Sequence, residues 1–220
     1  AELAVKVPTF TDFGQMMDRV DPDGVIVATR DCTHAQYVIA AVRAGKRAVS
    51  EKPLCTTAEQ CRQILAAEAE SDGSCLVTHN CRYGAAEEAV REVIRSGRIG
   101  EVKFIQFDET LDRCHGADYF RRWHGRKANS GGLLIHKASH HFDLLNWWID
   151  DVPEEVFAHG SRRYYVPGTA DRMGLQGRAD RCRDCPVGDK CRFHMDLESV
   201  EIWKAMYVDC EDDEPHYVRD

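Results

Sequence analysis

Arg47-Ala48-Val49-Ser50-Glu51-Lys52-Pro53 is the stretch that decides how this chain folds. An apolar run ends in a lysine and a proline, and a segment with helical spacing follows. Proline fixes its own φ and steers Lys52 away from the right-handed helical region, so the lysine is carried on stiff, extended backbone. An ammonium group is not buried unpaired. A lysine at the carboxyl end of a buried parallel strand therefore faces a crevice, where open α/β sheets bind ligands. Spacing alone leaves a second reading open, a solvated loop lysine ahead of a helix.

The flanking residues extend the pattern. Pro22-Asp23-Gly24 is a turn feeding a short apolar strand that runs to Thr29. Asp31-Cys32-Thr33-His34 supplies loop and cap candidates, and Ala35 to Ala44 has helical spacing up to Gly45. Thr56 or Thr57 caps a further helix through Ala58, Cys61, Ile64, Leu65 and Glu68, and Cys75 to Thr78 forms a third strand. Strands alternating with helices of this length predict an α/β fold with a parallel, doubly wound sheet. An earlier helix is expected over Thr11 to Val20.

A second domain is expected from residue 100 to 220, after a first over 1–99. The helix Ala85 to Ser96 carries an apolar stripe at Ala86, Val90, Val93 and Ile94, and Glu101 to Leu111 alternates in the manner of a strand. The polar loop from Arg113 to Asn129 holds Tyr119, Arg121, Trp123, His124, Arg126 and Lys127. Rings that stack on sugar faces and cations that bind oxygens suit a polyhydroxylated ligand; the plainer reading is an exposed loop anchored by one buried Trp. Ser130-Gly131-Gly132 precedes Leu133 to Ile149, which predicts one long amphipathic helix. On it His136, Lys137, His140 and Asp143 share a stripe at three- and four-residue separations. A catalytic acid/base cluster, a metal site from His136, His140 and Asp143, and a hydrogen-bonded helix face all remain open.

Glu51-Lys52-Pro53, together with Pro22 to Thr29, Thr33-His34, His79-Asn80-Cys81-Arg82-Tyr83, Gly97-Arg98-Ile99-Gly100 and the block Ser130 to Asp143, resembles the Gfo/Idh/MocA family of nicotinamide-dependent oxidoreductases. The resemblance implies a partial Rossmann domain followed by a partial α+β domain for substrate binding and oligomerisation. The family's opening GxGxxG turn is absent from this chain, and the chain is read as a fragment that also lacks the far end of the second domain.

By the same resemblance, NAD or NADP is the cofactor. Thr29, Asp31 and His34 are expected along the dinucleotide, Glu51 and Lys52 near the nicotinamide ribose, and Asn80 beside the nicotinamide. Arg82 and Tyr83 are expected only to hold the junction between domains. The family's histidine three residues before an aspartate is matched by His140 and Asp143, which makes His140 and Lys52 the expected catalytic pair. Four positions before His140, where the family carries an acid, this chain has His136. Tyr119, Arg121, Trp123, His136, Lys137 and His141 are the substrate-side candidates. The implied activity is hydride exchange between nicotinamide and a carbinol of a sugar or cyclitol. Two alternatives stand beside it: a redox-neutral glycoside hydrolase that oxidises the sugar transiently, and a non-catalytic sugar or dinucleotide sensor. A homo-oligomer and a cytoplasmic location are also expected.

Of the ten cysteines, Cys182, Cys185 and Cys191 cluster in a loop over 168–194, with His194 and Cys210 beyond. Three thiolates with a fourth ligand suit a structural zinc ion, and an iron–sulfur cluster less well; reduced or disulfide-bonded loop cysteines are the alternative. A net charge of −8 argues against a nonspecific nucleic-acid surface, although Arg121-Arg122 or Arg162-Arg163 are local anion contacts. No apolar stretch approaches the roughly 18 to 20 residues needed to cross a bilayer, so neither a nucleic-acid nor a membrane partner is expected.

Overall fold

The computed structural model describes residues 7–120, 123–180, 182 and 185–196, and it divides into two compact units, Ala1–Asn80 and Cys81–Asp220. The first unit contains α1 (Phe13–Val20), β1 (Gly24–Val27), α2 (Asp31–Arg43), β2 (Arg47–Ser50), α3 (Ala58–Ala69) and β3 (Ser74–Val77). The three strands form a parallel sheet in the order β1-β2-β3, with Val25 opposite Ala48 and Ala48 opposite Cys75. Val25, Val27 and Ala48 turn inward onto Ala35, Val38, Ala41 and Val42 of α2 and onto Ile64 and Ala67 of α3. That alternation along four-residue strands is the period-two pattern of a pleated sheet covered by helices.

Local chemistry accounts for the helix ends. Asp12 caps α1 by accepting the Gln15 amide at 2.7 Å. Thr57 caps α3 in a reciprocal capping box with Gln60. Helix α2 starts at Asp31, not at the expected Ala35, and Arg30 caps it without a side-chain bond. Asp31 and His34 are thereby drawn into the first turn and buried at 2% and 1% exposure.

Ser71 closes the return from α3 to β3. Its hydroxyl donates to the carbonyls of Val42 at 2.8 Å and Ala67 at 2.7 Å. Gly73 follows because the backbone passes so close to α2 that a Cβ there would lie 2.2 Å from the Val42 carbonyl oxygen.

The second unit contains α4 (Ala85–Arg95), α5 (Arg113–Asp118), α6 (Lys127–Ser130), α7 (Leu133–His136), α8 (Ser139–Ile149) and α9 (Pro167–Arg172). Helix α4 packs on α8, and the Trp148 indole N–H donates to the Glu87 carbonyl at 2.9 Å.

Two expectations are corrected here. Residues 101–111 form no strand, because alternation alone makes no ladder and no other strand among the described residues of this unit is present to pair with. The expected single helix over 133–149 is broken between α7 and α8. The Ala138 amide reaches back to the Leu133 carbonyl at 3.2 Å, a five-residue span that widens the turn locally. His136 and His140 consequently belong to different helices. No helix among the described residues is long and apolar enough to cross a membrane.

Candidate functional site

In the first unit the loops after the three parallel strands carry most of the expected nucleotide-side residues. Thr29 follows β1, Glu51 and Lys52 follow β2, and Asn80 follows β3. Thr29, Glu51 and Asn80 are exposed and Lys52 is half-buried. The carboxyl ends of parallel strands are where a doubly wound sheet receives a nucleotide. Three exposed polar side chains at three successive strand ends therefore fit an NAD-like ligand. Asp31 and His34 do not share that exposure. They lie beneath the loops, and only the loops above them are open to a ligand.

The Lys52 turn is held from several sides. The Glu51 amide donates to the Val27 carbonyl at 2.8 Å and so extends the sheet pairing to the residue before the lysine. Ser50, fully buried, donates its hydroxyl to the Glu51 carbonyl at 3.0 Å. The Thr78 amide and hydroxyl both donate to the Ser50 carbonyl, at 2.9 and 3.3 Å. Pro53 is buried and joined to Lys52 by a cis peptide bond. Thr29 and Thr33 share a hydroxyl hydrogen bond of 2.8 Å.

The second unit gathers rings around His136. The His136 ring meets Tyr119 and Trp123 edge-on at centroid distances of 5.6 and 5.5 Å, and His124 at 4.9 Å. Tyr119 stacks on His115, with 3.0 Å between its hydroxyl and His115 Nε2. Burial, reinforced by the Asp118 and Glu109 carboxylates, pushes the Tyr119 phenol up, so it stays protonated near neutrality. His124 is buried, with its Nε2 3.5 Å from Asp118.

Ser130 explains how this turn keeps its place. Fully buried, it donates to the His124 carbonyl at 2.8 Å and accepts the Gly132 amide at 3.1 Å. Gly131 and Gly132 adopt φ of 71° and 95°, which other residues rarely take. Sequence spacing picked out the Ser130-Gly131-Gly132 motif but not the buried pairing of His124 with Asp118. A histidine in a polar loop carries no signal that it will be enclosed by rings.

On α8, His140 is buried and the His141 ring meets Phe107 at a tilt, with centroids 5.2 Å apart. Arg82 grips the buried Asp143 carboxylate with two hydrogen bonds, one of 2.7 Å from Nε and one from a terminal nitrogen to Oδ1. Arg82 is thus a bidentate partner of the aspartate that follows His140. Lys137 is half-buried at the break between α7 and α8. Arg121 lies outside the described residues.

Burial pushes the His141 imidazole down, Glu109 at 3.8 Å works against that, and Lys137 adds to it. A histidine whose folded value is depressed stabilises the fold above its unfolded value of about 6.5, because the unfolded chain takes up the proton first. Stability is therefore expected to decline as pH falls from about 6.5 toward the lower folded value. His141→Phe should flatten that decline in denaturant melts between pH 7 and 5. An unchanged slope would count against it.

The cysteine expectation needs correction. Among the described residues no three His, Cys, Asp or Glu side chains come together as a metal-binding group, so Cys182, Cys185, Cys191 and His194 do not make the expected zinc site, and Cys210 lies outside the described residues. Cys182 Sγ accepts the Met195 amide at 3.4 Å, and the His194 ring packs over Gly188. The three cysteines, none of them in a disulfide, line a cavity of about 350 Å³ with Tyr164, Tyr165 and Phe193.

Residues 1–79 match the oxidoreductase family's NAD-binding Rossmann fold, and residues 91–208 match its C-terminal alpha/beta domain. The chain belongs to the Gfo/Idh/MocA family. Among curated members, YteT of Bacillus subtilis (strain 168) is 40% identical over 190 residues, covering 86% of this chain and 44% of that protein. The 1,5-anhydro-D-fructose reductase of Ensifer adhaerens is 30% identical, covering 67% of this chain and 44% of the reductase. Among solved structures, the WlbA dehydrogenase of Bordetella pertussis, in complex with NADH and UDP-GlcNAcA, is similar at a TM-score of 0.57 and 28% identity. That likeness covers 64% of this chain and 40% of WlbA. The chain thus spans less than half the length of each of these three relatives.

Proposed function

We propose that the whole protein exchanges a hydride between a nicotinamide dinucleotide and a carbinol carbon of a sugar or cyclitol. The observation that carries this reading is Lys52, held by sheet hydrogen bonding and a buried proline at the carboxyl end of the middle strand of a parallel sheet. The relatives point the same way, since they include a sugar reductase, inositol 2-dehydrogenases and a dehydrogenase solved with NADH.

When bound, the dinucleotide supplies hydride acceptance and donation at its nicotinamide ring. The chain's own residues supply the rest. Thr29, Glu51 and Asn80 are the polar groups offered to the dinucleotide. Lys52 hydrogen-bonds the reacting hydroxyl. His140 takes or returns the hydroxyl proton, and Asp143, gripped by Arg82, anchors the same helical turn. Tyr119, Trp123, His136, Lys137 and His141 form the substrate side, with rings for sugar faces and nitrogens for hydroxyl or carboxylate oxygens.

Incubating the whole protein with NAD or NADP and a panel of sugars, cyclitols and aryl glycosides tests this directly. Accumulation of reduced nucleotide is the expected result. Glycoside cleavage without net reduction would replace the dehydrogenase with the redox-neutral hydrolase, and binding without any turnover would leave a sensor.

A further inference from the structure

We infer that His34 is a positioning residue for Lys52, acting through the carbonyl of Pro53. This inference rests on the proposed role of Lys52 in turnover.

His34 is 1% exposed and stands in the first turns of α2, beneath two loops that leave adjacent parallel strands. Its Nδ1 lies 2.8 Å from the Pro53 carbonyl oxygen, and its Nε2 lies 2.9 Å from the Thr29 carbonyl oxygen. One side chain therefore ties the end of β1 to the Glu51-Lys52-Pro53 turn after β2. Neutral imidazole carries one ring N–H and imidazolium two, so at least one of these carbonyls receives a donated bond in either form. A buried carbonyl deprived of its donor is costly. The carbonyl that receives the ring N–H is held to the helix, and the positioning role requires Nδ1 as that donor, toward Pro53.

Glu51 is pinned by its amide to Val27, and Ser50 by Thr78, but both lie on the strand side of Lys52. On the far side, His34 Nδ1 meets the Pro53 carbonyl. A catalytic ammonium needs its backbone fixed on both sides, because a displacement of about 1 Å can reduce a rate about 100-fold.

The two nitrogens can be separated by substitution. The asparagine amide nitrogen occupies roughly the place of Nδ1, and the glutamine amide nitrogen that of Nε2. In the whole protein, His34→Asn keeps a donor for Pro53 and His34→Gln keeps one for Thr29. We expect His34→Asn to retain kcat within about fivefold, and His34→Gln and His34→Phe to lose about 30- to 100-fold. KM for the sugar should change little in all three. A kcat for His34→Gln equal to or above that of His34→Asn would overturn the inference, as would a wild-type kcat in folded His34→Phe.

Amide hydrogen exchange at Leu54 reads the same point without turnover. Faster exchange in His34→Gln than in His34→Asn supports the positioning role, and equal rates overturn it. A wild-type protein inactive on every sugar and cyclitol would refute the proposed activity, and the exchange measurement would still decide what His34 holds.

Discussion

Replacing Lys52 by alanine is expected to lower turnover of the whole protein about 1,000-fold, within the range associated with a positioned proton-transfer group. Nucleotide affinity should stay within about threefold, since removing a group that acts in the transition state lowers kcat without removing shared binding. The structure supports this separation. Lys52 is half-buried in a turn whose backbone is tied to Val27 and His34, so the alanine variant loses an ammonium but not the turn. Lys52→Arg distinguishes proton transfer from charge alone. Arginine keeps the positive charge but does not give up its proton in proteins, so it should remain as inactive as alanine. Recovery of activity in Lys52→Arg would show that charge suffices, and unchanged turnover in Lys52→Ala would refute the catalytic role.

The second large effect is on stability. Gly73→Ala should destabilise the fold by about 3 kcal/mol, the upper part of the range for overpacking a tight interior. Its Cβ would meet the Val42 carbonyl oxygen at 2.2 Å and the Val42 Cα at 2.7 Å. Both are backbone atoms of a fully buried residue, so no side chain can swing aside. The same carbonyl already accepts the Ser71 hydroxyl at 2.8 Å and the Gly45 amide at 2.9 Å, which holds it in place. Relief would require moving β3 away from α2, and with it the loop that carries Asn80. Gly45→Ala provides the contrast. Gly45 has a φ of 72° and no atoms within 4 Å of an added Cβ, so its substitution should cost only about 1 kcal/mol, from backbone conformation. Denaturant melts followed by far-ultraviolet circular dichroism measure both variants. A Gly73→Ala midpoint at or above that of Gly45→Ala would show that the chain path at Gly73 is looser than described.

The first unit was largely legible in the order of residues. Its strands and helices declare themselves through local causes: apolar runs bounded by Gly24 and Gly45, the Thr57 capping box, and a proline stiffening the end of β2. The second unit was less so. The alternation of residues 101–111 is a property of one segment, whereas a strand is a property of two. The break at Lys137 arises from a five-residue backbone bond that no side-chain spacing announces. Cysteine spacing suggested a closed metal site, but spacing cannot say where thiols point, and the described residues bring no three ligands together.

By itself, then, the sequence determined the class of fold, the place of Lys52 after a parallel strand, and the family to which the chain belongs, because strand period, helix period and caps act over a few neighbouring residues. Tertiary structure alone decided that His34 is a buried tie between Thr29 and Pro53, that Arg82 grips Asp143, and that His124 packs against His136. These partners lie 19, 61 and 12 residues apart in the chain. Only packing of the helices and loops brings such residues within reach of short-range hydrogen bonds and ring contacts.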